Sequence, residues 1–165
     1  MAPIVQRITP FLWFDDNAED AAKFYVSVFA NSRIVGVTRY PAEGAEAAGR
    51  PPGSVMTVSF ELSGQAFTAM NAGPAFKFTE AISFMVNCDS QQEVDHFWNT
   101  LSAGGKEVEC GWLKDKHGLS WQVIPKTLMR YLSDPDREKA GRVTQAMLKM
   151  KKIDIATLRR AYDGK

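Results

Sequence analysis

The chain has 165 residues, 45% of them apolar, and 20 basic against 19 acidic groups leave a net charge of +1. That length holds one large domain or two small modules built around a real core. The charge balance excludes the basic excess that nucleic acid requires, and the longest apolar runs, such as 11–14, are far too short for a bilayer span.

The N-terminus lacks the charged-then-apolar pattern of a signal peptide. Cys88 and Cys110 fit neither a zinc spacing nor a disulfide framework. Both observations point to the cytoplasm.

Residues 7–14 (RITPFLWF) read as a strand that Pro10 confines to an edge or to a place where its N–H is not needed. Asp15, Asp16 and Asn17 then offer caps for a helix. Ala21, Phe24, Tyr25, Val28 and Phe29 form one apolar helix face, and Asn17 with Asp20 resembles a capping box. Asn31-Ser32 ends that helix. Residues 33–40 read as a second strand. Residues 41–53, rich in Pro, Gly and Ala, read as a loop of the kind that forms lids or disordered spans. Residues 54–62 and 65–72 are a strand pair around a Ser63-Gly64 hairpin turn.

After Gly73-Pro74 the pattern restarts. Residues 80–87 read as a strand. Ser90 and Glu93 make a capping box for a helix whose apolar stripe is Val94, Phe97, Trp98 and Leu101, closed by Gly104-Gly105. At an offset of 73 the two helices coincide in caps and stripe: Asn17 with Ser90, Phe24 with Phe97, Tyr25 with Trp98. Strands over 106–109, 111–114 and 119–124 complete the second copy. Between the last two, Asp115-Lys116-His117-Gly118 supplies the turn. Both halves are therefore β-α-β-β-β, and the fold class is α+β with two tandem modules, 5–73 and 79–125, in one domain over 1–125.

Residues 126–165 read as a helical extension. Asp134-Pro135 offers a cap and a first-turn proline. Ala140, Val143, Met147 and Met150 make one stripe. Asp154 caps a last helix, with Ile153 and Leu158 as a hydrophobic staple. Lys149 to Lys152 reads as a solvated helix end rather than a binding patch.

Two such modules, the second ending D-x-x-G-x-x-W-x-V from Asp115 to Val123, resemble the vicinal oxygen chelate superfamily of glyoxalase I, extradiol dioxygenases and bleomycin- and fosfomycin-resistance proteins. Within it, ITPFLWFDDNAEDAAKFYVSVF, FKFTEAISFMVNCDSQQEVDHFWNTL and GWLKDKHGLSWQVIP are similar to the PhnB-like subgroup, often labelled 3-demethylubiquinone-9 3-methyltransferase. The resemblance covers about residues 5–150. It implies eight strands in two four-stranded sheets, each curled around a cleft, and a homodimer.

The resemblance also implies a divalent metal held by His, Gln or Glu from the first, fourth, fifth and eighth strands. Those positions fall on Pro10, Phe67, Ala81 and Gln122. Only Gln122 carries a donor, and one ligand makes no metal site. The expectation is therefore a protein with no cofactor and no catalytic residue assigned. Transfer of a methyl group from S-adenosylmethionine usually needs a glycine-rich loop after the first strand, where this chain has Asp15-Asp16-Asn17.

Period-two alternation places Leu12, Phe67, Asn71, Ser83, Met85, Ser120 and Gln122 on the inward face, an apolar pocket with four neutral hydrogen-bonding groups. It suits a small, partly apolar ligand. The alternatives are a metal-dependent lyase or dioxygenase, and a non-catalytic dimeric scaffold with a filled cleft. His117 and Asp115 read as turn residues and His96 as solvated. Cys110 and Cys88 lack a visible base. Trp13, Trp98, Trp112 and Trp121 read as core or dimer contacts.

Overall fold

A computed structural model describes residues 6–165. They fall into two compact units, one ending at Lys77 and one running from Phe78 to Lys165, each with its own sheet and core.

In the first unit, β1 (Phe11–Phe14), β2 (Arg33–Arg39), β3 (Val55–Leu62) and β4 (Gln65–Asn71) form a sheet ordered β1-β4-β3-β2. β1 pairs parallel with β4; the other pairings are antiparallel. The expected first strand is shortened because Pro10 has no N–H for the ladder, though its carbonyl still accepts from the Thr68 N–H at 3.0 Å. Ser63 and Gly64 both take positive φ, 48° and 83°, as the tight hairpin between β3 and β4 demands.

One face of this sheet is covered by α1 (Ala18–Val28), which buries Ala18, Ala21, Ala22, Tyr25 and Val28. Tyr25 stacks on Phe60 at 6.2 Å and Phe60 on Phe67 at 5.5 Å. Leu12, Phe14, Val58, Leu62 and Ala69 fill in around them. Asn17 precedes the helix but makes no capping bond through its side chain, so the expected Asn17–Asp20 box does not form. The expected loop over 41–53 contains a helix instead, α2 (Ala42–Ala48), closed by Gly49 at φ 63°. Its alanines carry the highest helix propensity, and Gly49 supplies the left-handed cap.

The second unit repeats the plan. Its strands are β5 (Phe84–Cys88), β6 (Lys106–Glu107), β7 (Trp112–Lys114) and β8 (Ser120–Pro125), ordered β5-β8-β7-β6, with β5 and β8 parallel. β5 starts four residues later than expected, which leaves Glu80 to Ser83 outside the ladder. α3 (Gln91–Ser102) lays Val94, Trp98 and Leu101 on the sheet, against the face that presents Val86, Cys88, Leu113, Trp121 and Val123. Its cap is as expected: the Ser90 hydroxyl accepts from the Glu93 N–H at 3.2 Å.

Three further helices complete this unit: α4 (Lys126–Leu132), α5 (Arg137–Met147) and α6 (Ile155–Asp163). They build a second core from Leu128, Tyr131, Val143, Ile153 and Leu158 on Ile124 of β8. The cap of α5 is Asp136, not Asp134. Its carboxylate accepts from the Glu138 and Lys139 N–H groups, while Asp134 accepts from the Asp136 N–H. Asp154 caps α6 as expected, accepting from the Thr157 N–H at 2.6 Å. Among the described residues, no helix is long and apolar enough to cross a membrane.

Candidate functional site

Each sheet has one face under its helix and one face turned away, and this parity sorts the expected site residues. In the first unit it places three of them in the core. Leu12 and Phe67 are 5% and 6% exposed, under α1. Asn71 is also buried, and both ends of its amide are engaged. Its Oδ1 accepts from the Ala18 N–H at 2.8 Å and its Nδ2 donates to the Val55 carbonyl at 3.1 Å. Asn71 thus caps α1 from across the sheet, the role expected of Asn17. The expected inward face is corrected here: period two defines two faces, and the larger apolar side chains of β1, β3 and β4 choose the helix-covered one. The face turned away carries Phe11, Trp13, Thr57, Ser59, Thr68 and Met70 instead. On it the Trp13 indole N–H donates to the Gly73 carbonyl at 2.8 Å, and Phe76 meets the ring edge-on at 4.9 Å.

In the second unit the other four expected residues do come together. Residues opposite one another on neighbouring strands share a face. Met85 pairs with Gln122, Gln122 with Trp112, and Ser120 with Lys114. Ser83 lies just ahead of β5, two residues before Met85. The Gln122 Nε2 donates to the Ser83 hydroxyl at 2.9 Å. Met85 is 44% exposed. Ser120 is buried, and its hydroxyl has no hydrogen-bond partner. A sealed hydroxyl without a partner costs about 1–3 kcal/mol and is uncommon in a folded protein.

Sequence reasoning missed Lys114 and Glu80 at this face. The Lys114 ammonium lies 2.5 Å from a Glu80 carboxylate oxygen. The hydrogen bond from Lys114, ahead of Glu80's own backbone bond, holds the Glu80 carboxyl below the usual carboxylate range. The signal was present: Lys114 stands in register with Ser120 across the turn. Trp112, expected as a core or dimer contact, stands beside Gln122, half-buried.

The turn itself is structural. Asp115 is buried, and one of its oxygens accepts from the His117 and Leu119 N–H groups at 2.8 and 3.1 Å. The other accepts from the Trp121 indole N–H at 2.8 Å. With its carboxylate spent on positioning β8, Asp115 is not poised as a base. Burial, then the negative charge of Glu93 and Asp89, pushes the Cys88 thiol up to about 12, so it is no nucleophile at neutral pH.

A divalent metal does not fit either face. The first sheet's open face offers Thr and Ser hydroxyls, indole and thioether. The second offers the neutral amides of Gln122 and Asn87, two hydroxyls, and the lysines Lys114 and Lys106. Among the described residues, no three His, Cys, Asp or Glu side chains are placed to hold a metal ion. Hard cations need several carboxylate or carbonyl oxygens, and transition metals need imidazole or thiolate.

A separate hollow of about 380 Å³ lies at the start of α1, lined by Asp16, Asn17, Glu19, Asp20, Arg50, Ser54 and Asn71 among others. Arg50 closes one side by donating to the Asp15 backbone carbonyl and, at 3.0 Å, to its carboxylate.

The family model described as 3-demethylubiquinone-9 3-methyltransferase matches residues 6–124. A PhnB protein from Bacillus cereus, provisionally described as a 3-demethylubiquinone-9 3-methyltransferase, is 35% identical with a TM-score of 0.65; the match covers 73% of this chain and 99% of that one. A Pseudomonas aeruginosa protein is 21% identical with a TM-score of 0.56, over 73% of this chain and 97% of its own. The fosfomycin resistance protein FosX from Mesorhizobium loti shares the fold at 14% identity and a TM-score of 0.55, over 80% of this chain and all of its own. No curated protein matches the chain.

Proposed function

The chain belongs to the PhnB-like family described as 3-demethylubiquinone-9 3-methyltransferase, with the fold of the vicinal oxygen chelate superfamily, and from that premise we propose that it binds a small, partly apolar molecule without a metal. The binding face is that of the second sheet turned away from α3. The observation that carries this reading is the Ser120 hydroxyl, sealed from water and unpartnered, beside the Ser83–Gln122 pair and exposed Met85. Evolved cores rarely keep an orphan hydroxyl where alanine would serve. A ligand group that bonds it removes the penalty, so ligand and fold stabilise each other.

Methyl transfer is not part of this reading. The β1–α1 junction is Asp15-Asp16-Asn17, without the glycines that let a cofactor approach the backbone. Vicinal-oxygen-chelate catalysis is set aside on the donor chemistry of the two open faces. The proposal includes pairing of two copies in the cytoplasm. Phe11, Val35, Val37 and Phe76 are exposed apolar side chains of the first unit that a partner copy would cover, and both cysteines are free thiols, as a reducing compartment keeps them.

The test is a ligand screen read by amide chemical shifts, with the solution mass measured in parallel. Ligands are expected to move Ser83, Met85, Ser120 and Gln122, and the mass is expected at twice 18.3 kDa. A screen in which bound compounds shift only residues outside β5, β7 and β8 rejects the site. A mass of one chain rejects the pairing.

A further inference from the structure

We propose that Lys114 is the anion-binding end of this face, that the ligand therefore carries a carboxylate or similar acid on a flat apolar body, and that Glu80 occupies the acid's place until it arrives. This rests on the reading of the second sheet's open face as the binding face and adds the class of ligand.

Three observations converge. Lys114 and Lys106, opposite one another on β7 and β6, are both cations on this face, and Lys114 is the one that stands directly across from Ser120. Cross-strand neighbours are about 5 Å apart at Cβ, so one acid group can accept from both the ammonium and the Ser120 hydroxyl, which lacks an acceptor. The present partner of Lys114 is also easily displaced. Glu80 lies before β5, outside the ladder, with its side chain 64% exposed. An ion pair that open contributes little, so a ligand acid that also bonds Ser120 outcompetes it.

The remainder of the face matches the rest of such a ligand. Trp112 and Met85 flank Gln122 on either side. An indole offers a flat apolar surface and a thioether adapts to shape. Two gaps between strands span about 10 Å, the length of a single ring bearing a short acid chain. Gln122, already donating to Ser83, has a carbonyl oxygen that can accept from a polar group on the ring.

The probes are phenylacetate and phenylacetamide, an acid and its uncharged amide of the same shape. Binding is followed by amide shifts in the full chain, and circular dichroism verifies each variant's fold. The wild type is expected to prefer the acid about tenfold. Glu80→Gln, which removes the competing carboxylate, is expected to tighten acid binding about fivefold and leave the amide unchanged. Lys114→Met is expected to make acid and amide equal, and Lys114→Arg to retain the preference. If both probes shift Ser83, Ser120 and Gln122 with equal affinity in the wild type, the anion class is wrong and the binding face stands. If neither shifts them at about 10 mM, the face itself is wrong and this inference falls with it.

Discussion

At the scale of single residues, Asn71 and Ser120 show how one alternating pattern holds two opposite fates. Both were expected to meet a ligand. Asn71 spends its amide on the Ala18 N–H and the Val55 carbonyl, and so joins α1, β4 and the start of β3. Ser120 has no partner. Asn71→Ala is expected to cost about 2 kcal/mol, from a lost cap and a buried N–H left without an acceptor. Urea unfolding measures it, and a loss under about 0.5 kcal/mol would show that the cap contributes little. The sequence made the alternation plain but not its sign. A clue was available: on β3, Val58, Phe60 and Leu62 lie on one face, and Thr57, Ser59 and Glu61 on the other. Burial follows bulk, and the face with three large apolar side chains had to be the one under the helix. In the second unit Trp121 and Val123 are bulkier than Ser120 and Gln122, and they lie on the face under α3.

At the scale of elements, caps and stripes were legible wherever they act locally. Ser90, Asp154 and the Ile153–Leu158 staple form as their spacing suggests, because each depends on four to six consecutive residues. The cap of α1 was illegible because it comes from 53 residues away. The docking of the last helices was illegible for the same reason. It depends on Gly111, whose N–H donates to the Lys151 carbonyl at 2.7 Å, next to the Cys110 N–H donating to Met150 at 2.8 Å. A Cβ on Gly111 would stand 2.9 Å from the Ile124 side chain and 3.1 Å from that of Ile153, at a φ of 82°. Gly111→Ala is therefore expected to cost about 2–4 kcal/mol, backbone strain and overpacking together. Gly118→Ala is the control. Its φ is 88° but nothing lies within 4 Å, so only the backbone cost of about 1–2 kcal/mol should appear. Equal losses in the two variants, measured by denaturant unfolding, would show that the close approach at Gly111 is slack.

At the scale of the whole molecule, the family model ends at residue 124, just where the second core begins. The three last helices are an addition to the second unit, fastened by that core, by Gln91 and by the Lys152–Asp95 ion pair at 2.7 Å. The Gln91 side chain donates to the Ile153 carbonyl and accepts from the Ile155 N–H, so α3 holds the start of α6 by both ends of one amide. Leu158→Ala should leave a cavity in this core and cost about 2–5 kcal/mol. Hydrogen exchange should then quicken across α4 to α6 and at Cys110 and Gly111, while Val58 and Phe60 in the first unit keep their protection. Faster exchange in both units alike would contradict the division into separate cores. The tandem plan itself was legible, because the two helices coincide in caps and stripe at an offset of 73 and strands flank each of them in the same order.

The strand order carries a consequence for synthesis. β1 lies beside β4, and β5 beside β8, so the opening strand of each module has no neighbour until its closing strand has been made. As the chain leaves the ribosome, Phe11 to Phe14 must wait for Thr68 to Asn71. The β3–β4 hairpin, with its two-residue turn, is the piece able to assemble early. Contacts so distant in sequence slow folding, and an apolar strand without a neighbour is open to wrong partners in the meantime. Pro10, which blunts the ladder at the head of β1, stands where it would hinder such mispairing most.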